Sequence, residues 1–538
     1  MAKANFHPLS GEPQAIAVAP DANLRPELGG AVSYHRLSRP NRIKATYDAA
    51  RDSDAMSDHW SNTDALSADG ANSSSVRTKL RNRSRYETTN NGFVSGIVQT
   101  YANDLVGIGP KLRMQTGSAG FNAMVEAEFA LWAKSVQLRR KLWCLAHSKV
   151  QDGEGFGVLR TNPRAKHRVK LDLVLYEAEQ CTSPFMPFNE PGHIDGIKFD
   201  EFGNPETYYL LKYHPGGQAT FQMFGQFGVP EAVPAEYVVH WFKLTRPGQH
   251  RGIPELTATL NVGASSRRMR EATVSAAETA ADFSVVLKTL FQPDQIDQVS
   301  PMSSVDIQKK MMTALPQGWD MSQMKAEHPN ATYEAFIRSQ LNETARPLNM
   351  PYNKAACDSS SYNYASGRLD HQTYYGGLDV DREDGNDLVI DPIFDAWWDE
   401  AVSVFGWLGG RPEAIGPYAK LHSWDWPKHP VADIGAEAEA HDKRLRTGSL
   451  SLRQLYSDNG EDFEDELIVL AQDYGVEPDE MRTILRDAIF NSQNQQASMQ
   501  QADTQAKAAE AAAKVAQQIA DKPTPAPAAQ PTGAKANA

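Results

Sequence analysis

The sequence predicts an α+β protein that is mainly helical, and three stretches carry that prediction. Residues 255–290 lack proline and repeat alanine at four-residue intervals, which is the pattern of a long helix. Residues 168–245 alternate apolar and polar side chains, as β-strands do. Residues 433–490 contain several short helical patterns, which Gly448 and Gly460 separate. We therefore expect one region of strands within an otherwise helical chain.

The totals limit what kind of protein this is. The 538 residues are enough for two to four domains with a sizeable core. The 54 basic and 67 acidic residues leave a net charge of −13, which argues against a surface that clamps nucleic acid along its whole length. The three cysteines, Cys144, Cys181 and Cys357, have no metal spacing, so we expect a reducing compartment without disulfides. Neither an apolar leader nor a membrane span is expected.

The first part of the chain predicts a flexible arm followed by helices. Residues 1–34 are rich in Pro, Gly and Ala and have no periodicity. Residues 77–85 place five basic residues on one predicted helix, which Ser75 can cap. This basic face predicts either solvated charge or a DNA contact. A second helical pattern follows from Val94 to Tyr101, and residues 121–150 are amphipathic.

The long stretch 255–290 is predicted to be the central element. Pro254 suits the first turn of a helix and Glu255 suits its positive end, whereas Gly263 interrupts the pattern. A face of alanines is too shallow to form a core, but it allows another helix to pack closely, from this chain or from a second copy. The alternative interpretation is a central helix of an ordinary globular domain.

The rest of the chain predicts an insert, more helices and a polar tail. Residues 291–330 are mixed and polar, 332–346 are helical, and the helix that begins near Tyr364 follows a loop. Five of the ten tryptophans predict one aromatic core cluster; they are Trp397, Trp398, Trp407, Trp424 and Trp426. From Asn491 the chain becomes rich in Gln, Ala and Pro, which is typical of disorder.

The usual motifs of enzymes and metal sites do not occur in the sequence. There is no nucleotide-binding GxxxxGK[ST], no HExxH and no GxSxG. The acidic run from Asp379 does not fit a calcium loop, because its glycine is at the seventh position and Ile390 stands where the bidentate Glu belongs. His422 and His429 lack a nearby third ligand, so we interpret them as polar neighbours of the tryptophans. We predict no catalytic residue, metal or cofactor.

Several short motifs together resemble the lambda-type portal proteins of tailed bacteriophages. The motifs are YDAA (47–50), LRNRSR (80–85), NN (90–91), NDLVGIGP (103–110), DGE (152–154), GIKFDEFGNPETYY (196–209), VVHWFKLTRPGQHRGIP (238–254) and SSYNYASGR (360–368). Each is weak alone, but RPGQHRGIP followed by an alanine-rich helix and then YNYASGR is specific as a set. The family favours Tyr-Ser-Ser before the last arginine, where this chain has Tyr364-Ala365-Ser366.

The resemblance implies a portal fold with a wing, a helical stem, a small clip, a tunnel loop and a helical crown, assembled as a ring of usually twelve copies. The implied segments are an arm (1–34), the wing (35–245), the first stem helix (246–290), the clip (291–331), the second stem helix (332–346), the tunnel loop (347–362), a long helix with a return to the wing (363–432), the crown (433–490) and a disordered tail (491–538).

The resemblance also implies a role and partners. The ring would sit at one capsid vertex in the virion, after assembly in the host cytoplasm. Double-stranded DNA would be packaged through it by the large terminase subunit and later ejected. Capsid, scaffold or protease, and head-completion proteins would bind around it, and no membrane is involved. The candidate DNA-channel residues are Arg267, Arg268, Arg270 and Lys354, each of which could instead form an ion pair; the tunnel-loop residues are Asn353, Lys354, Asp358, Ser359 and Ser360.

Two alternatives remain open from the sequence alone. One is a hydrolase that uses Asp200 or His240. The other is a DNA-binding regulator that uses the basic face 77–85.

Overall fold

The computed structural model describes residues 64–183, 192–217, 229–282, 286–289, 319–322, 333–360, 362–430, 434–458 and 463–490, together with Lys507 and Lys514. The chain divides into two units, Met1–Ala65 and Leu66–Ala538, and the description below concerns the second. The architecture is α+β and mainly α, as predicted. Within the described ranges, every helix is too short or too polar to cross a bilayer.

The first half of this unit packs helices against small antiparallel sheets. The helices are α1 (Ala68–Ala71), α2 (Ser74–Asn90), α3 (Gly92–Val106), α4 (Ala119–Ser135) and α5 (Leu138–Asp152). The strands are β1 (Lys111–Met114), β2 (Glu154–Thr161), β3 (Leu171–Tyr176), β4 (His193–Ile194), β5 (Ile197–Phe199), β6 (Pro205–Leu210), β7 (Glu231–Pro234) and β8 (Val238–Phe242).

The sheets are all antiparallel within the described residues. One has the order β3-β2-β8 and another the order β4-β5-β6-β7. A tight turn over residues 200–204 joins β5 to β6. Strand β1 pairs with β11 (His422–Asp425), more than 300 residues later in the chain. This pairing ties the end of the aromatic region back to the first helices.

The second half consists mainly of helices. They are α6 (Leu260–Asp282), α7 (Tyr333–Ala345), α8 (Tyr352–Ala356), α9 (Tyr364–Gly385), α10 (Asp391–Val404), α11 (Gly406–Gly409), α12 (Ile434–Thr447), α13 (Leu452–Asp458), α14 (Phe463–Tyr474) and α15 (residues 478–490). Strands β9 (Val286–Thr289) and β10 (Trp319–Ser322) pair between α6 and α7. A π-helical turn, Asn386–Ile390, joins α9 to α10.

The main core forms where α3, α4, α5 and α10 meet. Trp397 and Trp398 lie in it, and Trp407, Trp424 and Trp426 pack against it, so the predicted aromatic cluster is confirmed. The ring of Phe129 stands edge-on to Trp397 with 5.1 Å between centroids. Such edge-to-face pairs stabilise a core beyond the area they bury.

The helix predicted for 255–290 is shorter at both ends. It begins at Leu260, after the 3₁₀ turn Thr257–Thr259, and ends at Asp282. Pro254 and Glu255 therefore precede the helix, and Glu255 pairs with Lys149 instead of capping a dipole. Gly263 does not break the helix; it lies inside α6, where a Cβ added to it would make an ordinary van der Waals contact with Val94 at 3.5 Å. Residues 286–289 belong to β9, because they pair with β10.

Two further predictions need correction. The stretch before Tyr364 is not simply a loop, because it contains the 3₁₀ turn Arg346–Leu348 and helix α8. The amphipathic pattern at 121–150 is two helices, α4 and α5. Gln137 separates them with a left-handed φ of 56°.

Candidate nucleic-acid interface and its anchor

Within the described residues, helix α6 is buried at its start and exposed further along. Leu260, Gly263 and Ser266 are buried, whereas none of the residues from Glu271 to Glu278 is. Val274 keeps 59% of its surface exposed, and Ala272 and Ala277 are exposed. The far part of α6, from Glu271 to Glu278, therefore presents small apolar side chains that are exposed among the described residues.

Helix α7 packs beside α6 and, like α6, is buried at one end and exposed at the other. Its last residues, Leu341, Thr344 and Ala345, are buried, whereas Glu334 and Phe336 near its start are exposed. The hydroxyl of Thr259 donates a hydrogen bond to the carbonyl of Thr344 at 3.3 Å, where the base of α6 meets the end of α7. Both helices are thus anchored at one end, and the β9–β10 hairpin lies between their other ends in the chain.

The loop before α6 is fixed by a buried ion pair between Arg251 and Glu154. The guanidinium donates two hydrogen bonds to the carboxylate, at 2.9 Å from Nε and 2.7 Å from Nη2. The amide of Gly252 and the ring of His240 also contact Glu154, at 3.0 and 3.2 Å. Burial would raise the pKa of Glu154, but Arg251 and His240 outweigh it and hold that pKa well below its usual value.

We call the buried contacts of Arg251, Gly252 and His240 with Glu154 the anchor. Two glycines let the two backbone segments of this anchor come into contact. A Cβ on Gly252 would lie 2.0 Å from the carbonyl oxygen of Gly153, and a Cβ on Gly153 would lie 2.3 Å from the carbonyl carbon of Ile253. Gly153 also has a φ of 92°, a conformation that other residues rarely adopt. The motifs DGE and RGIP therefore meet in space, at the point where the chain enters α6.

The basic face of α2 points largely inward. Arg77 and Arg81 are buried, and Arg81 lies 3.3 Å from both Glu154 and Glu179. Arg85 donates two hydrogen bonds of 2.7 Å to Asp152. These three arginines recur at every fourth residue, so they share one side of the helix. The interpretation of 77–85 as one solvated, DNA-binding face is therefore wrong; only Lys79 and Arg83 of the five are exposed.

Two of the three candidate arginines on α6 hold the helix to its neighbours. Arg267 pairs with Glu87 at 3.0 Å, and Arg270 donates to the side-chain oxygen of Asn91 at 2.8 Å. The Glu87 hydrogen bond raises the pKa of Arg267. Arg268 is exposed. The three therefore do not form a common cluster.

Lys354 is held within the chain. Its ammonium lies 2.7 Å from Asp104 on α3 and 5.4 Å from the ring centres of both Tyr374 and Tyr375. The neighbouring Asn353 bonds His371 at 2.9 Å. This lysine and asparagine fix α8 to α3 and α9.

The remaining tunnel-loop candidates lie further along the same segment. The carboxylate of Asp358 accepts a hydrogen bond from the amide of Ser360, and this bond lowers the pKa of Asp358. Ser359 and Ser360 are exposed.

A second buried cluster, missed by the sequence analysis, joins the start of α6 to α9. The fully buried ammonium of Lys149 lies 2.7 Å from Glu255 and 3.3 Å from Asp381, and these two carboxylates raise its pKa against the effect of burial. Tyr101 donates a hydrogen bond to Asp381. Nothing in the local sequence distinguishes these charges from solvated ones, because their partners lie 106 and 232 positions away along the chain.

The residues proposed for a hydrolase do not form a catalytic group. Asp200 caps the β5–β6 turn by accepting bonds from the amides of Phe202 and Asn204, which together with the side chain of Asn204 lower its pKa. His240 is buried and stacked on Phe156, and burial lowers its pKa. One is a turn residue and the other belongs to the anchor.

One group of metal-type ligands occurs in the described ranges, formed by Glu177, Glu179 and His214. Arg85 lies 3.1 Å from the carboxylate of Glu177 and 3.0 Å from that of Glu179. Arg81 lies 3.3 Å from Glu179 as well, so two guanidinium groups already supply positive charge to these carboxylates. We therefore interpret the group as part of the ion network around α2. His422 bonds Asp391, and His429 stacks on Tyr375, so these two histidines do not face one another.

Comparison with known proteins places these features in context. The model of the family described as phage portal protein, lambda family, matches residues 55–379. A probable portal protein of Halomonas phage phiHAP-1 is 21% identical over 431 residues, which are 73% of this chain and 79% of that protein. A solved chain from the virion of a native gene transfer agent particle aligns with 12% identity and a TM-score of 0.37, over 75% of this chain and 94% of that one. A portal protein of the HK97 family from Corynebacterium diphtheriae aligns with 12% identity and a TM-score of 0.27, over 54% and 85%.

Proposed function

The chain belongs to the lambda family of phage portal proteins, and we propose that copies of it form a closed ring through which double-stranded DNA enters and leaves the capsid. Its function is that of a phage portal. The ring, its site at a capsid vertex and its passage of DNA are our proposal. The protein would contribute structure to this process and no catalytic step.

The uncovered far part of α6 is the observation that carries this proposal. The exposed Val274 and Ala277 lie about 60° apart around α6 and form a shallow face on which a helix can pack at close range, and Ala272 is exposed on another side of the helix. A single copy leaves this face in water, whereas a neighbour in a ring would cover it. Each copy would then use two different patches, one for each neighbour, which is the geometry that closes a ring.

The segments keep the roles that the family implies. We propose that 35–245 is the wing, that α6 and α7 are the stem, that the β9–β10 hairpin belongs to the clip, and that 433–490 is the crown. The segment 347–362, which includes α8, would be the tunnel loop. A separate terminase, capsid, scaffold or protease, and head-completion proteins would be the partners, in the host cytoplasm and then in the virion.

The contacts of the candidate channel residues rank them for DNA binding. Arg268 is exposed and remains our first candidate, followed by the exposed Ser359 and Ser360. Arg267, Arg270 and Lys354 would first have to leave their partners Glu87, Asn91 and Asp104. Few available cations suit a conduit, because every phosphate that a protein neutralises adds affinity and would slow the sliding of the duplex.

Native mass spectrometry and electron-microscope class averages of the purified protein test the ring. We expect closed rings with a central hole. Ala272 and Ala277 lie about 140° apart around α6, at about 100° per residue, so at least one of them should face a neighbour. We therefore expect Ala272→Trp or Ala277→Trp to reduce ring formation while circular dichroism stays unchanged.

Ala127→Trp is the matched control, because Ala127 is an exposed alanine in another helix, α4. It should leave the rings intact. A stable monomer of the unmodified protein under all conditions would overturn the proposal, as would normal rings from both α6 variants.

A further inference from the structure

A pocket of about 650 Å³ opens between α4, α5 and the β1–β11 pair. Its floor is apolar and is made by Phe129, Leu138, Leu142, Ile390 and Trp424. This volume lies within the range of small-ligand pockets, about 300–1,000 Å³, and can hold one or two large side chains. None of the contacts described for the portal role involves it.

The mouth of the pocket is basic, although the chain as a whole carries a charge of −13. Lys134, Arg139 and Arg140 are exposed there. The other charged residues of the lining are Lys111, Arg113 and Glu126, and the last two have partners that hold them in place. Arg113 pairs with Asp425 at 2.9 Å, and Glu126 accepts a hydrogen bond from the amide of Met114.

The basic residues are placed where they oppose the stability of the helix that carries them. Arg139, Arg140 and Lys141 occupy the first turn of α5, which contains no acidic residue, and no side chain caps this end. Cations at the positive end of a helix dipole are unfavourable, by about 0.3–1 kcal/mol each where exposed. Asp172 pairs with Lys141. The two arginines are exposed in the pocket lining, and Arg139 also donates a hydrogen bond to the carbonyl of Gly107 at 3.3 Å. A local conflict of this kind is expected at functional sites, and the positive charge of this one favours an anionic ligand.

We infer that this pocket binds an acidic peptide segment of a partner protein, with a large apolar side chain on the floor and carboxylates at Lys134, Arg139 and Arg140. The apolar floor takes the side chain out of water, and the rim supplies complementary charge. Carboxylates near the first turn would also relieve the unfavourable dipole interaction of the two arginines.

The floor favours a peptide over nucleic acid as the occupant. A duplex presents phosphates and sugars at its surface, and a concave apolar floor gives them nothing to pair with. A peptide supplies both an apolar side chain and carboxylates within one short segment. Duplex DNA is therefore one of the outcomes that the experiment must separate.

Fluorescence anisotropy with the full-length protein tests the inference. The probe is a fluorescein-labelled twelve-residue peptide with six acidic residues around one tryptophan and one leucine, and its comparison peptide carries Gln and Asn in place of the acids. We expect the acidic peptide to bind and the neutral one to bind about 2- to 150-fold more weakly, since two or three exposed ion pairs at about 0.2–1 kcal/mol each are removed.

The double variant Arg139→Gln/Arg140→Gln should weaken the acidic peptide by about 3- to 30-fold. Its matched control is Lys79→Gln/Arg83→Gln, which removes two exposed charges from α2 and so changes the net charge equally. The control should bind within about twofold of the unmodified protein. The Arg139/Arg140 variant should also unfold at an equal or higher temperature, because the dipole conflict is gone.

Filling the pocket tests the apolar part separately. Ala130→Trp at the exposed mouth should weaken the peptide at least about tenfold, with Ala133→Trp as a second, deeper variant. Ala127→Trp on the same helix lies outside the lining and should leave the affinity unchanged.

Four results would each overturn the inference. The first is that the acidic peptide does not bind, and the second is that the two peptides bind equally. The third is that neither Ala130→Trp nor Ala133→Trp changes the affinity for the acidic peptide. The fourth is that a 30-base-pair duplex displaces the peptide and no longer binds to the Arg139/Arg140 variant. The last would identify the site as a nucleic-acid site. Ring formation is measured on the same samples, so failure of this inference is distinguishable from failure of the portal assembly.

Discussion

The two ends of helix α6 differ in almost every physical respect. At its base, the loop 246–254 is fixed by an arginine that is 1% exposed and donates two bonds to a fully buried glutamate. At its far end, α6 presents small side chains that are exposed among the described residues. Both ends lie within residues 55–379, which the family model matches, and on the proposed function one segment serves both folding and assembly.

The difference separates folding from assembly. Charges at the base are paired and withdrawn from solvent, so they position α6 but are not available to DNA. Side chains at the far end contribute little to the stability of one chain, yet they determine what can pack beside it. Substitutions at the base should therefore change the stability of every copy, whereas those at the far end should change the interactions between copies or with DNA.

The largest expected effect comes from breaking the ion pair at the base. Arg251→Met leaves Glu154 buried without its main partner, which we expect to destabilise the unit by about 3–5 kcal/mol. Thermal denaturation followed by circular dichroism measures the loss of stability. Arg268→Met, on the exposed side of α6, is the control and should stay within about 0.5 kcal/mol. Equal effects of the two variants would remove the distinction between the two ends.

A smaller but still large effect should follow from crowding the backbones at the base. Gly252→Ala brings a Cβ to 2.0 Å from the Gly153 carbonyl oxygen. The backbone must move, at a cost of about 1–3 kcal/mol. Gly376→Ala in α9 is the matched control, because its Cβ meets nothing within 4 Å and alanine favours a helix by about 0.5–1 kcal/mol. The two substitutions should shift the melting temperature in opposite directions.

The stability that Glu154 contributes at the base of helix α6 should also depend on pH. The pKa of Glu154 is lower in the folded chain than its ordinary value of 4.5, so the folded state binds fewer protons there than the unfolded state. Its ionisation therefore stabilises the fold at pH values above about 4.5, and this contribution disappears as the pH falls from there towards the folded-state pKa. The midpoint of urea denaturation should decrease between about pH 5 and pH 3, and less so in Glu154→Gln. A parallel decrease in both proteins would contradict the assignment.

The fold class and the order of elements were predictable because local periodicity determines them. The tryptophan cluster, the β5–β6 hairpin and the short helices of 433–490 all follow from spacing within a few residues. The ends of α6 were not predictable, since β9 pairs with a strand more than 30 positions away and Glu255 pairs with a lysine 106 positions earlier. Tertiary contacts of this kind override local pattern.

The basic residues were the least predictable part of the site. Arg81 and Arg83 are chemically alike and two positions apart, yet one is buried against Glu154 and the other is exposed. A spacing of four residues among Arg77, Arg81 and Arg85 could have suggested a common side of the helix. The acidic partners that withdraw this side from solvent come from the end of α5, from β2 and from the turn after β3, and no pattern within α2 indicates them.

The smallest expected effect sharpens the comparison within α6 itself. Arg267 and Arg268 are adjacent, but Arg267 pairs with Glu87 and Arg268 is exposed. If Arg268 faces the channel, Arg268→Gln should reduce the dependence of duplex affinity on salt. The slope of log K against log salt should then fall by about 0.9 for each phosphate that is no longer neutralised. Arg267→Gln should leave that slope unchanged and lower the melting temperature slightly, because it removes a partly exposed ion pair that contributes at most about 1 kcal/mol.

Filter binding of a 30-base-pair duplex to purified rings at several salt concentrations measures the two slopes. The variants remove the same charge from adjacent positions, so each serves as the control for the other. A change of slope in the Arg267 variant alone would mean that the Glu87 pair opens in the ring. The base of α6 would then be available to DNA as well, and pairing within the chain would no longer distinguish it from the far end.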